Sequence, residues 1–281
     1  MTKLQKWILA CSIAIIISFV VYTWYTASRE KHIVVVTPSY NNINHHKKNI
    51  ESVFSQKNGD RPYGNWSLYY TDDCSTDGTY EAVVHLVKEH GKENNCTIVK
   101  NKVRKGAMGN DYAAIHNLPD DTIVVVLDGD DALAHEHVFE KINQLYQDPK
   151  VWLTYGQYQE YPSGKRGHCT PLPAEIINRN AVRKYPFVTS HLRTFYAGLF
   201  KKIKKQDLMH NGDFFQITSD LAFMFPMVEM AGVHARFVPE VLCIYNMDNP
   251  INDFKKDIHG LLAMERVIRT KRPYAPLHSL A

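Results

Sequence analysis

Hydrophobic and polar residues alternate along most of the chain in blocks that have the lengths of strands and helices. The strongest block covers 123–127, where five consecutive apolar residues are followed by Asp128-Gly129-Asp130-Asp131. An unbroken run rich in β-branched residues is typical of a strand buried on both faces, as in a parallel sheet covered by helices. We therefore expect an α/β fold built around this strand.

Three earlier blocks also have the character of strands, at 33–37, 67–71 and 97–100. Apolar residues at helical spacing predict a helix after each of the first two, and the polar segment after the third leads into a helix around 110–116. This alternation of strand and helix implies a parallel sheet with right-handed crossovers.

Polar clusters follow three of these strands, at 37–40, at Asp72-Asp73 and at 128–131. The carboxyl ends of parallel strands lie on one edge of a sheet, where ligands bind in open α/β folds. Three carboxylates this close repel one another unless a cation or hydrogen bonds neutralise them. Oxygen ligands favour Mg²⁺ or Mn²⁺, held together with a substrate diphosphate. An acidic turn that caps the next helix is the alternative for the last cluster.

The amino-terminal segment 7–25 is uncharged, 19 residues long and aromatic at both ends. Such a segment is long enough to cross a bilayer, and aromatic residues at its ends favour a retained anchor. We expect a tail at 1–6, a single-pass membrane anchor at 7–25 and a linker at 26–31. A cleaved signal peptide is the alternative, because 26–28 supplies small residues near a cleavage point.

The remaining chain is predicted to form one catalytic domain at 32–252, followed by an amphipathic helix and tail at 253–281. With 281 residues, 44% of them hydrophobic, the protein has enough material for a sizeable core. Its net charge of +4 is too mild to indicate a nucleic-acid partner, and we expect none. The five cysteines include no C-x-x-C pair, so neither a zinc site nor a disulfide framework is indicated.

The motifs 34–41, 72–79 and 128–131, taken in this order, resemble those of family 2 glycosyltransferases. The resemblance covers about 32–250 and implies the GT-A fold, a Rossmann-like, mixed and mostly parallel sheet flanked by helices. Two positions depart from the family pattern. Cys74 replaces the usual glycine, and the helix after Gly106 reads Ala-Met-Gly-Asn where the family commonly has Ala-Arg-Asn.

The resemblance also implies a role for each matching residue. The first cluster would line the pocket of the nucleotide base, an acid of the second would accept a hydrogen bond from the base or ribose, and a basic glycine segment would close over the nucleotide. The residues implied in donor binding are Thr37, Pro38, Tyr40, Asp72, Asp73, Asn101, Lys105, Gly106, Asp128 and Arg193. The implied ligands of Mn²⁺ or Mg²⁺ are Asp130, Asp128 and the late His259, with Asp131 as a supporting or capping acid.

An inverting glycosyltransferase also needs a general base that takes the proton of the acceptor. Asp220, at a predicted helix start, matches the place where the family has this acid, and His191 is a candidate contact to acceptor or sugar. Each has a structural alternative: Asp220 as a plain helix cap, His191 as a buried hydrogen-bonded side chain, Arg193 as a surface residue, and His259 as an ordinary helix position.

The sequence therefore predicts a metal-dependent inverting glycosyltransferase that uses a nucleotide sugar, with UDP as the favoured nucleotide. The acceptor hydroxyl would belong to a glycan, a lipid-linked saccharide or a protein. A module that binds nucleotide sugars or carbohydrates without catalysis is the main alternative. A phosphotransferase with a nucleophilic aspartate fits less well, because its acidic pair would follow the first strand.

Overall fold

The structure is a computed structural model, and it describes residues 2, 3, 5, 7, 11–13, 15, 30–251, 255 and 257–280. Most of the predicted anchor at 7–25 and of the linker at 26–31 lies outside the described residues, as do positions 252–254. In the described part of the chain, no helix is both long and apolar enough to cross a membrane.

An eight-stranded sheet with the order β5-β4-β1-β6-β9-β8-β12-β7 forms the centre of the molecule. Four further strands pair as two short hairpins, β2 with β3 and β10 with β11. The strands are β1 (Ile33–Ser39), β2 (Lys57–Asn58), β3 (Arg61–Pro62), β4 (Trp66–Asp72), β5 (Cys96–Lys100), β6 (Ile123–Val126), β7 (Ala132–Leu133), β8 (Leu153–Tyr161), β9 (Arg193–Tyr196), β10 (Met209–His210), β11 (Asp213–Phe214) and β12 (Ala235–Asn246).

Helices cover both faces of this sheet. They are α1 (His46–Phe54), α2 (Thr79–Glu89), α3 (Gly106–His116), α4 (Val138–Leu145), α5 (Ala174–Asn178), α6 (Ala197–Lys201), α7 (Ser219–Ala231) and α8 (Ile258–Thr270). The mixed α/β fold predicted from the alternation of patterns is confirmed.

The sheet is parallel in its first half and mixed in its second. Strands β5, β4, β1 and β6 run parallel to one another. Strand β9 is antiparallel to both β6 and β8, while β8 and β12 are parallel again. Because β9 runs against β6, its first residue, Arg193, pairs with Val126 at the carboxyl end of β6, directly before the acidic turn.

Two apolar cores lie on opposite faces of the sheet. Val34 and Val36 of β1 belong to the core that includes residues of α3 and α7, whereas Ile33 and Val35 belong to the core that includes residues of α1, α2 and α4. This two-sided burial explains why β1 and β6 are apolar without alternation.

Helix α3 begins at Gly106, four residues before the helix predicted around 110–116. The segment before it is polar and contains glycine, so the pattern resembles a loop. Gly106 has φ +74°, a backbone conformation that favours glycine. Its N–H donates to the carboxylate of Asp73, which directly follows β4. The helix start therefore depends on a tertiary contact.

Candidate active site

The three polar clusters meet at the carboxyl edge of the parallel strands. The N–H of Asp73 donates to the carbonyl of Ser39 at 2.7 Å, and that of Gly129 donates to the carbonyl of Pro38 at 3.1 Å. On the far side, the N–H of Asn101 donates to the carbonyl of Asp72 at 2.9 Å. These bonds extend the sheet into its loops and fix the predicted residues along one edge.

Asp73 holds the basic glycine segment in place. Its Oδ1 accepts hydrogen bonds from the Asn101 amide (2.8 Å) and the Lys105 N–H (2.9 Å), and its Oδ2 accepts one from the Gly106 N–H (2.9 Å). Burial favours the neutral acid, but these hydrogen bonds outweigh burial and lower the pKa of Asp73. Both oxygens are engaged by the protein itself.

Asp72 is arranged differently. Its Oδ1 accepts a hydrogen bond from the N–H of Ser75 at 3.0 Å, while its buried Oδ2 has no hydrogen-bond partner among the described residues. The sequence left the base or ribose contact open between Asp72 and Asp73. Of the two acids, Asp72 is the one with an unpaired oxygen in the described part of the chain, and this oxygen is buried.

Tyr40 is covered by a residue that the sequence prediction did not include. The guanidinium carbon of Arg104 lies 3.7 Å from the centroid of the Tyr40 ring, and Arg104 Nε lies 3.6 Å from Asp73 Oδ2. A flat guanidinium over an aromatic ring forms a cation–π contact. The basic run around Arg104 is the signal that would have identified this residue.

The acidic turn is built on a glycine and on a buried amide. Asn49 of α1 is fully buried and donates from Nδ2 to the carbonyls of Asp128 and Asp131, both at 2.9 Å. A Cβ at Gly129 would lie 2.6 Å from Cβ and Oγ of Ser39, so the turn packs against β1 only because this residue is glycine. Asn49 was not predicted, since it lies about 80 positions away in the chain.

The three acids of this turn separate into different environments. Asp128 is partly exposed and faces His191 and Arg193. Asp130 accepts a hydrogen bond from the Asn249 amide at 2.7 Å. Asp131 is buried; its Oδ1 accepts from the N–H of Asn246 at 2.8 Å, and its Oδ2 lacks a hydrogen-bond partner in the described part of the chain.

His191 lies beside two of these acids. Its Nε2 is 3.5 Å from Asp128 Oδ2 and 3.8 Å from Asp131 Oδ2. Burial and the neighbouring Arg193 lower the pKa of His191, although Asp128 acts in the opposite direction. Burial and the other acids of the turn raise the pKa of Asp131 well above its usual range, while hydrogen bonds and charges from His191 and Arg193 outweigh burial and lower that of Asp128.

These residues fit a divalent cation. Within the described residues, Asp128, Asp131 and His191 form a group whose ligand atoms all lie within 4.8 Å of one another. The group contains a buried carboxylate oxygen without a hydrogen-bond partner in the described residues and an imidazole nitrogen, and both atom types bind metals. Asp131, expected to support the site, belongs to this group.

Arg193 connects the acidic turn to the predicted base. Its side chain is almost fully buried, with NH2 3.3 Å from Asp128 Oδ2 and NH1 3.4 Å from Asp220 Oδ2. Asp220 is the second residue of α7, and Thr218, directly before the helix, has φ +58°. The side chain of Asp220 is 26% exposed and thus open to an acceptor.

A fourth acid near Arg193 was not found from the sequence. Asp111 of α3 is 1% exposed, and its Oδ1 has no hydrogen-bond partner in the described residues. Burial and the charge of Asp128 raise the pKa of Asp111 well above its usual range, whereas Arg193 acts to lower it. Burial beside Asp128 therefore favours the uncharged form of Asp111.

The remaining predicted residues are also placed by the structure. Thr37 is fully buried, and its hydroxyl has no hydrogen-bond partner among described residues, while Pro38 lies inside β1. His259 is exposed in the first turn of α8 and is not part of the group of metal-capable side chains within the described ranges.

A cavity of about 220 Å³ opens beside Asp130, on the side of the turn that faces α1. Its walls carry charges of both signs and an aromatic ring. The lining residues are Asn44, His45, Lys48, Asp130, Ala132, Tyr161, Ile244, Asn246 and Asp248.

Comparison with solved structures shows the GT-A fold. The chain is similar to TarS from S. aureus, with 16% identity and a TM-score of 0.54 over 84% of this chain and 39% of that chain. It is also similar to TarS 1–349 in complex with UDP-GlcNAc (13% identity, TM-score 0.58, 84% and 65% covered). The mannosyltransferase PcManGT from Pyrobaculum calidifontis, in complex with GDP-Man and Mn²⁺, is 20% identical, with a TM-score of 0.58 over 95% and 76% of the two chains.

The sequence itself matches the family model described as "Glycosyl transferase family 2" over residues 34–204. The chain therefore belongs to glycosyltransferase family 2, as its motifs predicted. It spans 39% of the TarS chain and 65% of the TarS 1–349 chain that it resembles. Comparison with curated proteins gave no significant match.

Proposed function

We propose that this glycosyltransferase is metal-dependent and inverting, and that it transfers a sugar from a nucleotide sugar to a hydroxyl acceptor. The main support for the proposal is that Arg193 forms two ion pairs. One is with Asp128, at the sheet edge where the donor is expected, and the other is with Asp220 in α7. An inverting transfer needs a base on the acceptor side and charge stabilisation on the donor side within one site.

The donor is proposed to be a nucleotide sugar, with UDP favoured. The related structures contain UDP-GlcNAc or GDP-Man, which supports this class of donor without fixing the base. In this chain, Tyr40 offers an aromatic ring for a base on the face that Arg104 does not cover, and Asp72 has a buried carboxylate oxygen without a hydrogen-bond partner in the described residues.

Asp220 is proposed to take the proton from the acceptor hydroxyl as that oxygen attacks the sugar. Arg193 keeps the Asp220 carboxylate in place, since its fork contacts Asp128 at the same time. A divalent cation, Mn²⁺ or Mg²⁺, would be held by acids of the turn, and when bound it neutralises the charge of the departing diphosphate. The Mn²⁺ in the PcManGT complex supports a metal of this kind.

The acceptor is proposed to be a glycan, a lipid-linked saccharide or a protein. The uncharged segment at 7–25 supports a single-pass anchor in a membrane whose identity is open. A domain that begins shortly after such an anchor would work close to lipid, which favours acceptors found near a membrane.

A panel of nucleotide sugars with Mn²⁺ tests this function, with thermal shift for binding and nucleoside diphosphate release for turnover. We expect one nucleotide to stabilise the protein and its sugar conjugate to be consumed. Asp220→Asn should keep the thermal shift and lose turnover by about 10²–10⁴-fold, while Ser219→Ala, its neighbour, should retain turnover. Binding without turnover in the wild type would instead indicate a non-catalytic module, and no binding of any nucleotide would contradict the proposal.

A further inference from the structure

Helix α7 is held by a buried guanidinium near each of its ends. Near the start, Arg193 NH1 lies 3.4 Å from Asp220 Oδ2. Near the end, Arg183 donates from Nε to Glu229 Oε1 at 2.6 Å and from NH2 to Glu229 Oε2 at 2.9 Å. The two acids lie about 14 Å apart along the helix axis, at 1.5 Å per residue. The segment 183–193 therefore contacts α7 at two distant points.

The second of these ion pairs is fully enclosed by the protein. The side chains of Arg183 and Glu229 are 5% and 0% exposed. Removing two charges from water is costly, and replacing a buried ion pair with apolar side chains of similar size is often neutral or stabilising. Stability alone is therefore a weak reason for charges at this place. Two parallel hydrogen bonds are directional, however, and fix one relative position of the partners.

The C-terminal segment completes this contact. Arg183 NH1 donates to the carbonyl of Ile268 at 2.6 Å, and the N–H of Tyr274 donates to Glu229 Oε2 at 3.0 Å. Arg269 NH1 donates to the carbonyl of Arg183 at 2.6 Å. Both oxygens of the carboxylate and all three nitrogens of the guanidinium are thus engaged. Helix α8 and the tail that follows it are tied to α7 through one ion pair.

A proline in the middle of α7 makes the second contact important. Pro226 lies between Asp220 and Glu229, and because proline has no N–H, one hydrogen bond to the preceding turn is missing. Such positions weaken or bend a helix. The guanidinium carbon of Arg183 lies 5.8 Å from the ring centroid of Phe225, directly before the proline. Each half of the helix therefore has its own fixed point.

We propose that Arg183 and Glu229 are positioning residues, which hold α7 so that Asp220 keeps its place relative to Asp128. The proposal rests on the role of Asp220 put forward in Proposed function. The pair acts through the helix and not through contact with the substrate. The segment 258–280, which lies beyond the residues matched by the family model, is then part of the catalytic unit.

The test uses the whole chain with Arg183→Met and Glu229→Met together. The two apolar side chains fill similar space and leave no buried charge unpaired, so the melting temperature should stay within about 5 °C of the wild type. Turnover is measured as nucleoside diphosphate released from UDP-GlcNAc and from GDP-Man with Mn²⁺. We expect it to fall by about tenfold or more, because a displaced catalytic group loses rate, while calorimetry shows unchanged UDP binding. A merely structural pair would leave the turnover of the folded protein unchanged.

The matched control is an ion pair of the same two residue types on the surface. Arg179 NH1 lies 2.9 Å from Glu175 Oε1, and the two side chains are 73% and 72% exposed. Glu175→Met together with Arg179→Met should change neither melting temperature, turnover nor UDP binding, since exposed pairs contribute little.

Hydrogen exchange of the amides at 223–225 tests the same coupling without turnover. These amides lie in the half of α7 that carries Asp220, on the far side of the proline from Glu229. They should exchange about tenfold faster in the double Met variant and at the wild-type rate in the control. A pair with only a local role would loosen 227–231 and leave 223–225 unchanged.

Should the double Met variant fail to fold, Arg183→Lys decides the question. Lysine keeps the charge but cannot form the two-pronged contact, so turnover should fall by about fivefold or more with UDP binding kept. Wild-type turnover in either folded variant overturns the inference, and so does unchanged exchange at 223–225. A wild type that consumes no nucleotide sugar, yet shows the expected exchange difference, would refute the proposed function alone.

Discussion

Arg193 NH1 lies 3.4 Å from Asp220 Oδ2, while NH2 of the same guanidinium lies 3.3 Å from Asp128 Oδ2. One buried cation thus spans the distance between the end of β6 and the start of α7. Among the described residues, neither Asp128 nor Asp220 forms a shorter ion pair than the one with Arg193. In the proposed function, this guanidinium sets the position of the Asp220 carboxylate relative to Asp128.

Arg193→Lys tests that dependence. An ammonium is a single point charge and cannot contact both acids with the geometry of a planar fork. We expect kcat/KM to fall by about 10²-fold, because a small displacement of a catalytic group lowers the rate by about that factor. Nucleotide binding, measured by thermal shift, should be largely kept. Lys201→Arg, a change of the opposite kind at a surface ion pair with Asp120, is the control and should have no effect. Full activity in Arg193→Lys would show that the double contact is dispensable.

Asp73→Asn should destabilise the protein by about 2 kcal/mol or more. Its carboxylate accepts three hydrogen bonds, and bonds to a charged group contribute about 1.5–3 kcal/mol each in favourable cases. In the variant, the amide NH₂ would face an N–H donor of the Lys105–Gly106 segment. Urea unfolding at pH 7 measures the loss, with the exposed Asp60→Asn as control.

The same variant has a defined pH dependence. The folded pKa of Asp73 is lowered, so its stabilising contribution is fully present above its ordinary value of 3.8 and is lost as pH falls through the folded pKa. The difference in unfolding free energy between wild type and Asp73→Asn should therefore be constant from pH 5 to 7 and shrink below about pH 4. A difference that persists unchanged at pH 3 would argue against the carboxylate as its source.

Gly129→Ala should cost about 1–3 kcal/mol of stability, because overpacking against backbone-fixed neighbours is destabilising. The new Cβ would lie 2.6 Å from Cβ of Ser39, closer than any normal contact. Gly64→Ala is the matched control, since its Cβ would meet Glu30 Oε2 at an ordinary 3.4 Å. Equal effects of both variants on the midpoint of chemical unfolding would contradict this steric account.

Asn49→Asp should be among the most destabilising changes at the edge of the sheet, with a loss of about 3 kcal/mol or more. The substitution is isosteric, but it replaces an NH₂ group that donates to the carbonyls of Asp128 and Asp131 with a buried oxygen that repels them. Thermal melting measures the loss. Asn117→Asp, whose amide bonds only within the surface of α3, should have a much smaller effect.

The fold could be predicted from the sequence because its main signals are local. The unbroken apolar run at 123–127 marks a strand buried on both faces, and the acids after it mark a loop at the sheet edge. Cys74 is also informative, since it replaces the glycine of the family and has φ +68°, a conformation that favours glycine. The family preference has a backbone cause.

The parts of the site that were missed depend on contacts between distant residues. Asn49 and the acidic turn, Arg104 and Tyr40, and Asn246 and Asp131 are pairs separated by tens to more than one hundred positions. Nothing in the local pattern around Asn49 or Asn246 distinguishes either from an ordinary polar residue. The different environments of the three acids in the turn likewise depend on neighbours from α1, β9 and β12.

The hydrogen bond from the N–H of Asn246 to Asp131 limits how this protein can be divided into fragments. The family match ends at residue 204, yet the strand that fixes Asp131 and the helix that carries Asp220 both come later in the chain. A gene fragment cut at that boundary would encode every motif by which the family is recognised and would lack the partners that shape them. Chimeras between members of this family therefore need to take β12 and the acidic turn from the same parent protein.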